Sequence, residues 1–186
     1  PEDGLPVAKQ PLLCEPADLA KLRLIAPENG RRMSDRVAAV SRFRERAGGA
    51  IPIMGWVEGA LAEAADLRGV ANLLTDLYDR PAWVHAVLDF ATEQAILFAR
   101  AQVSAGADII GLGDAIASQV SPKVYREFAL PYEQRIFAAV REAGGIPRLH
   151  ICGNTRGILA AMAESGAEIV DLDWMVDLGA AAAVFR

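Results

Sequence analysis

The feature that most constrains the fold is a short phrase that occurs twice, in which a helix ends at a glycine and an apolar strand begins. The two copies are SAGADII at residues 104–110 and SGAEIV at residues 165–170. A helix end, a glycine stop and a short strand form the repeating unit of parallel sheets with helical crossovers. The sequence therefore predicts an α/β fold, either an α/β barrel or a doubly wound sheet.

Apolar patterns and turn residues divide the rest of the chain into alternating elements. Helices are predicted over about residues 31–47, 60–78, 81–105, 122–143 and 155–164, and strands over about residues 51–57, 108–112, 146–152 and 168–172. The strands are apolar on both faces, which favours a sheet covered by helices. No Gly-x-Gly-x-x-Gly follows a strand and no Walker phosphate loop is present, so the usual nucleotide-binding motifs are missing.

Size and charge exclude several classes of protein. The chain has 186 residues, enough for one domain, and 53% of them are hydrophobic. Its net charge of −5 argues against nucleic acid or an anionic membrane as the main partner. No apolar stretch approaches the ~18 residues that span a bilayer. The polar N-terminus is unlike a signal peptide and the two cysteines lie far apart, so we expect a cytoplasmic protein without a disulfide scaffold.

Polar side chains follow the predicted strands. They are Glu58, Asp114, His150 with Cys152, and Asp173. In a (β/α)8 barrel the active site lies at this end of every strand. A complete barrel takes ~250 residues, and this chain also lacks an initiator methionine and ends abruptly. Residues 1–186 are therefore predicted to be the central portion of a single barrel domain.

His150 and Cys152 are the side chains most typical of a metal site. Residues two apart in a strand point to the same face, so an imidazole and a thiolate would lie side by side. Zinc prefers such ligands, but it takes four protein ligands, or three with an open position. The chain has one other cysteine, Cys14, in a proline-rich segment, and one other histidine, His85, which is predicted to be a surface or packing residue of a helix. From the residues alone, the pair is a site with a ligand from elsewhere, half of a site, or a structural pair.

Several phrases together resemble the uroporphyrinogen decarboxylase superfamily. They are GWVEG at residues 55–59, AGAD at 105–108, GDAIAS at 113–118, SP at 121–122, YREFALPY at 125–132, HICGNT at 150–155 and LDW at 172–174. The phrases occur in the family's order and cover essentially the whole chain. The resemblance implies a (β/α)8 TIM barrel of the uroporphyrinogen decarboxylase type, present here only in part, without its first and last strands.

Two branches of the superfamily fit this chain differently. The decarboxylases place a catalytic serine directly after the aspartate at the exit of the middle strand, where this chain has Ala115, and a tyrosine near the position of Leu67. They also have no His-x-Cys before Gly153. The cobalamin-dependent methyltransferases, such as methylcobalamin:coenzyme M methyltransferase, are similar to this chain in His150-x-Cys152-Gly153 and in GDAIAS. The resemblance therefore favours the methyltransferase branch.

The methyltransferase branch implies a metal and a methyl donor. Its members hold zinc with a His-x-Cys pair and a cysteine near the C-terminus. His150 and Cys152 are therefore predicted zinc ligands, and the third ligand is expected past Arg186. The zinc activates a small-molecule thiol, which takes a methyl group from a corrinoid carried by a partner protein. We expect weak or no zinc binding by the chain alone.

The other strand-exit residues receive roles from their positions. Asp114 and Asp173 are predicted catalytic residues, and Glu58, Ser118 and Trp56 are predicted substrate contacts. The alternatives are that Asp114 caps the chain that follows it, that Glu58 contacts backbone amides and that Trp56 packs in the core.

Two other functions remain open from the sequence. The first is decarboxylation of a porphyrinogen or a related substrate, and Ala115 counts against it. The second is a non-catalytic fragment. Half a barrel exposes two sheet edges, so such a fragment would pair with a second copy of itself or with its missing remainder.

Overall fold

The structure, a computed structural model, describes residues 10–185, which contain one parallel sheet. Its strands are β1 (Met54–Glu58), β2 (Ile109–Gly113), β3 (Ile146–His150) and β4 (Ile169–Asp171). They pair in chain order, and every pairing is parallel. A doubly wound sheet reverses its strand order at a switch point, whereas a barrel adds its strands successively. The prediction of an α/β barrel, present in part, is confirmed.

Helices connect the strands and cover one face of the sheet. They are α1 (Arg31–Ala47), α2 (Ala60–Arg68), α3 (Val70–Asp79), α4 (Pro81–Ser104), α5 (Pro122–Phe128), α6 (Leu130–Glu142), α7 (Leu159–Met162) and α8 (Leu178–Val184). Short 3-10 helices lie at Pro16–Lys21, Pro27–Asn29 and Ala115–Gln119. Helix α4 packs against β1, β2 and α6. No helix in the described part of the chain is long and apolar enough to cross a membrane.

The sheet has one buried face and one open face, because successive side chains of a strand point to opposite sides. Val57, Ile110, Leu112 and Leu149 face the helices and are almost wholly buried. Each such side chain contributes ~1.5–3 kcal/mol through its removal from water. The opposite face corresponds to the inside of the barrel, and it carries the predicted site residues Trp56, Glu58 and His150.

Two of the predicted helices are each divided in two, contrary to expectation. The predicted helix over residues 60–78 is interrupted at Gly69, whose φ of 85° ends α2 and is rarely adopted by other residues. The predicted helix over residues 122–143 breaks at Ala129. Pro131 lies in the first turn of α6 and has no N–H with which to continue the hydrogen bonding of α5.

Strand β3 ends two residues earlier than predicted, at His150 rather than Cys152. Its pairing with β2 ends at Gly113 opposite His150, and its pairing with β4 ends at Asp171 opposite the same residue, so β3 has no strand partner beyond that point. The expectation that His150 and Cys152 share a strand face is therefore wrong. The predicted helix over residues 155–164 is likewise reduced to the four residues of α7.

Candidate active site at the strand exits

A row of four positions crosses the open face of the sheet at the carboxyl ends of the strands. In the register Glu58 is paired with Gly113, Gly113 with His150, and His150 with Asp171. This end of a barrel is where active sites are built. The structure therefore brings the predicted residues Glu58 and His150 into one row, and it adds Asp171.

Trp56 lies over β2 because that strand has glycines beneath the indole. A Cβ added to Gly113 would lie 2.7 Å from Cζ2 of Trp56, so no side chain fits there. The indole Nε1–H donates to Glu58 Oε1 at 3.2 Å, and its ring meets the His150 imidazole edge-on with the centroids 5.8 Å apart. Trp56 is 36% exposed and forms an aromatic surface beside His150. Trp56 is therefore not simply packed in the core, which was the alternative role considered for it.

The Glu58 carboxyl group lies between the indole and an apolar cavity. Desolvation raises the pKa of Glu58 above its usual value, although the hydrogen bond from Trp56 opposes this effect. The cavity, of about 850 Å³, lies between α1, β1 and α4 and is lined by side chains such as Phe43 and Phe98. Within residues 10–185, no backbone amide donates to the carboxyl group of Glu58. The Glu58 carboxyl group therefore accepts from the indole of Trp56 rather than from backbone amides, which were the alternative partners considered for it.

Asp171 contacts the imidazole of His150 from one side, and Arg148 holds Asp171. The Nδ1 of His150 lies 2.9 Å from Asp171 Oδ2, and Arg148 Nε and Nη2 lie 3.0 and 2.9 Å from Asp171 Oδ1. The His150 side chain is 40% exposed. In the described part of the chain, no hydrogen bond reaches its Nε2. This nitrogen is free to bind a metal ion or a substrate.

Cys152 lies in the loop after β3, and Asp173 holds that loop in place. The N–H of Gly153 donates to Asp173 Oδ2 at 2.7 Å, and Asp173 Oδ1 accepts from the N–H of Met175 at 3.4 Å. Gly153 has a φ of 92°, so the chain turns there. The Cys152 thiol is free and exposed. Asp173 therefore joins the exit loops of β3 and β4, and its predicted catalytic role stays a prediction.

The donors for a metal site are incomplete within the part of the chain that the structure describes. No group of three His, Cys, Asp or Glu side chains arranged to hold a metal ion occurs among residues 10–185. His150 and Cys152 supply two donors of the kind that zinc prefers. Ser118, a predicted substrate contact, donates its hydroxyl to the carbonyl oxygen of Ala115 at 2.9 Å and lies against Gly153.

Asp114 lies beneath the loop between β1 and α2 and has no exposed surface. Its Oδ1 accepts the N–H of Ala62 in the first turn of α2 at 2.9 Å. A Cβ added to Gly59 would lie 2.5 Å from the Asp114 carboxyl group. Burial raises the pKa of Asp114 to about 7. Asp114 makes no side-chain hydrogen bond to the turn that follows it, so the predicted alternative of a cap for that turn is wrong. Its side chain instead contacts the neighbouring helix α2, and its catalytic role stays a prediction.

A second buried carboxyl group, which the sequence reasoning missed, lies near Asp114. Glu133 on α6 has no exposed surface, and its Oε2 accepts the hydroxyl of the buried Tyr125 at 2.5 Å. Burial, and then the charge of Asp114, raises the pKa of Glu133 to about 8. Within residues 10–185, Asp114 Oδ2 and Glu133 Oε1 have no hydrogen-bond partner. The sequence did carry a sign of this burial, because Glu133 lies three residues from both Leu130 and Ile136 and so falls within the apolar stripe of α6.

The fold and the site together define a class of protein. Parallel strands added in chain order, with polar groups at their carboxyl ends, form part of an α/β barrel with a site at its carboxyl face. Residues 1–186 also match the family profile "Uroporphyrinogen decarboxylase (URO-D)" over their whole length. The chain belongs to the uroporphyrinogen decarboxylase family, as its resemblance predicted.

Relatives of this chain include enzymes of both branches. A uroporphyrinogen decarboxylase from Saccharopolyspora erythraea is 34% identical over 189 residues, which cover 95% of this chain and 51% of the relative. The methylcobamide:CoM methyltransferase MtaA from Methanosarcina barkeri is 37% identical over 138 residues, covering 70% of this chain and 38% of that protein. A solved methyltransferase from Methanosarcina mazei has a TM-score of 0.76 and 33% identity, covering 83% of this chain and 46% of its own.

The chain spans about half the length of the curated relatives that it matches. The family is enzymatic, and its members include decarboxylases and methyltransferases.

Proposed function

We propose that this chain is part of a zinc-dependent methyltransferase that moves a methyl group from a corrinoid to a thiol. The observation that carries the proposal is the pair of open donors at the exit of β3. His150 presents an unoccupied Nε2 and Cys152 an exposed thiol. The methyltransferase relatives from Methanosarcina barkeri and Methanosarcina mazei support this choice.

The donor set suits zinc but does not complete its coordination. An imidazole and a thiolate are typical zinc ligands, and a catalytic site needs a third protein ligand as well as an open position. His150 and Cys152 would supply two ligands, and we place the third past Arg186. A bound zinc would lower the pKa of a substrate thiol and so favour its thiolate. The thiolate is the form that attacks a methyl group.

The other residues of the site would shape the space around the reacting groups. Asp173 holds Gly153 and thereby fixes the loop that carries Cys152. Trp56 forms a flat apolar wall beside His150, which would exclude water from one side of the substrate. Glu58 stands next to that wall with a raised pKa and would bind a substrate N–H or O–H group. A corrinoid-carrying protein is the proposed partner at the open end.

Decarboxylation of a porphyrinogen is the second candidate function. Its support is the Saccharopolyspora erythraea decarboxylase, which aligns with more of this chain than the MtaA methyltransferase does. Burial raises the pKa of Asp114 to about 7, so this group can hold a proton near neutral pH, and desolvation also raises the pKa of Glu58. Ala115 counts against this candidate, since the resemblance places the decarboxylase serine there.

Zinc content separates the two candidates. A form of the protein extended to the length of its relatives is expected to hold about one zinc ion per chain. His150→Ala and Cys152→Ala should each remove it, because two remaining ligands hold the ion poorly. Cys14→Ala is the matched control, since that thiol is also exposed but lies in another segment. Elemental analysis after reconstitution under reducing conditions is the measurement, and a metal-free extended protein would overturn the proposal.

A further inference from the structure

The carboxylate of Asp171 contacts two side chains on the open face of the sheet. Its Oδ2 lies 2.9 Å from His150 Nδ1, and both of its oxygens accept from Arg148 Nε, at 3.0 and 3.2 Å. Asp171 is opposite His150 in the register, so the contact crosses directly from β4 to β3. All three residues are on rigid strands rather than on loops. The arrangement therefore fixes the imidazole more firmly than the contacts of a loop residue would.

The chemistry of the contact determines which nitrogen of His150 carries the proton. A carboxylate accepts hydrogen bonds but does not donate them. Nδ1 must therefore carry the hydrogen when the imidazole is neutral, and the lone pair is then on Nε2. Arg148 presents its planar guanidinium to the same carboxylate and fixes its orientation. Rotation of Asp171 away from His150 would break the contacts with Arg148.

We propose that Asp171, held by Arg148, is a positioning residue that locks His150 in its Nδ1–H form and directs Nε2 toward the open face. The metal-binding consequence rests on the proposed zinc site, whereas the position of the proton does not. Histidines that bind metals commonly donate their second N–H to a carboxylate, and loss of that partner weakens metal binding by about 10- to 100-fold. In this proposal Asp171 acts through His150 and is not a metal ligand.

A structural role for the same residues leads to a different expectation. If Arg148 and Asp171 only join β3 to β4, their replacement lowers stability without changing the imidazole. The side chains are 33% and 23% exposed, and ion pairs at such positions contribute modestly to stability. A readout at the imidazole itself therefore distinguishes the two roles.

The test uses nitrogen NMR of the extended protein labelled at histidine, without metal, at about pH 8. The His150 signal is identified by its loss in His150→Gln. We expect the Nδ1–H form in the wild type and a mixture of the two forms in Asp171→Asn. Glu168→Gln is the control, because it removes a negative charge from an exposed residue just before β4. An Nε2–H form in the wild type, or an unchanged form in Asp171→Asn, overturns the proposal.

A second measurement links the locked imidazole to the metal. Zinc affinity, determined by competition with a chelator, should fall about 10- to 100-fold in Asp171→Asn and stay unchanged in Glu168→Gln. Unchanged affinity in Asp171→Asn would overturn the metal-binding part. Should Asp171→Asn fail to fold, Arg148→Met is measured instead. It leaves Asp171 without the contact that fixes its orientation, so a mixture of imidazole forms and a weaker zinc affinity are expected there too. An extended wild type with the Nδ1–H form but no zinc would refute the proposed function and leave the positioning role standing.

Discussion

Replacing Glu133 by glutamine is expected to remove much of the fall in stability that the wild-type protein shows as the pH rises. Burial raises the pKa of Glu133 from its usual 4.5 to about 8 in the folded chain. The folded state therefore keeps a proton that the unfolded state releases, and the free energy of unfolding decreases between about pH 5 and pH 8. One pKa unit corresponds to ~1.4 kcal/mol, so we expect the ionisation of Glu133 alone to lower the free energy of unfolding by on the order of 2–4 kcal/mol across this range.

Urea unfolding at several pH values checks this expectation. Glu133→Gln keeps an oxygen that can accept from the hydroxyl of Tyr125, yet it cannot ionise. We expect the variant to lose about half as much stability as the wild type, because the pKa of Asp114 is also raised. Glu127→Gln, at an exposed residue of α5, is the control and should behave like the wild type. Wild-type stability that is flat or rises over this range would contradict the buried, protonated pair.

Replacing Gly111 by alanine is expected to displace Trp56 and to destabilise the protein by about 2–3 kcal/mol. The new Cβ would lie 2.5 Å from Cζ3 of the indole, so the ring cannot keep its place. Displacement of the ring also breaks the hydrogen bond with Glu58 and the contact with His150. The substitution should therefore weaken the site as well as the fold.

A double-mutant cycle tests whether the steric conflict with Trp56 is the cause. In a Trp56→Ala background, Gly111→Ala should cost less than about 1 kcal/mol, since the colliding ring is absent. Gly157→Ala is the matched control, because a Cβ there meets its nearest neighbour at an ordinary 3.7 Å. The free energies come from urea unfolding. Equal costs of Gly111→Ala in both backgrounds would show that the indole does not occupy the space above β2.

The parts of the fold that local signals determine were predictable. Helix α1 has the predicted bounds, residues 31–47, because Gly48 supplies the left-handed turn that ends it. The breaks at Gly69 and Ala129 were not predicted. A glycine inside a helical pattern is often tolerated, and a proline is compatible with the first turn of a second helix. Tertiary packing decides between such alternatives.

The candidate site was predictable in its place but not in its contacts. The strand exits identified Glu58 and His150. The end of β3 depends on where both of its neighbours, β2 and β4, stop pairing, and no local pattern reveals that. The burial of Asp114 follows from the close approach of Gly59 on a different loop. The partnership of Asp171 with His150 likewise depends on the register between two strands, which is set by the whole sheet.

Methyl transfer from methylcobalamin to coenzyme M is the measurement that tests the proposed function most directly. The extended protein, loaded with zinc, is followed by the change in corrinoid absorbance as the methyl group leaves. We predict thiol-dependent turnover in the wild type, and only background turnover in His150→Ala and Cys152→Ala. A zinc-loaded protein that leaves methylcobalamin unchanged but releases carbon dioxide from uroporphyrinogen would contradict the proposal and assign the chain to the decarboxylases.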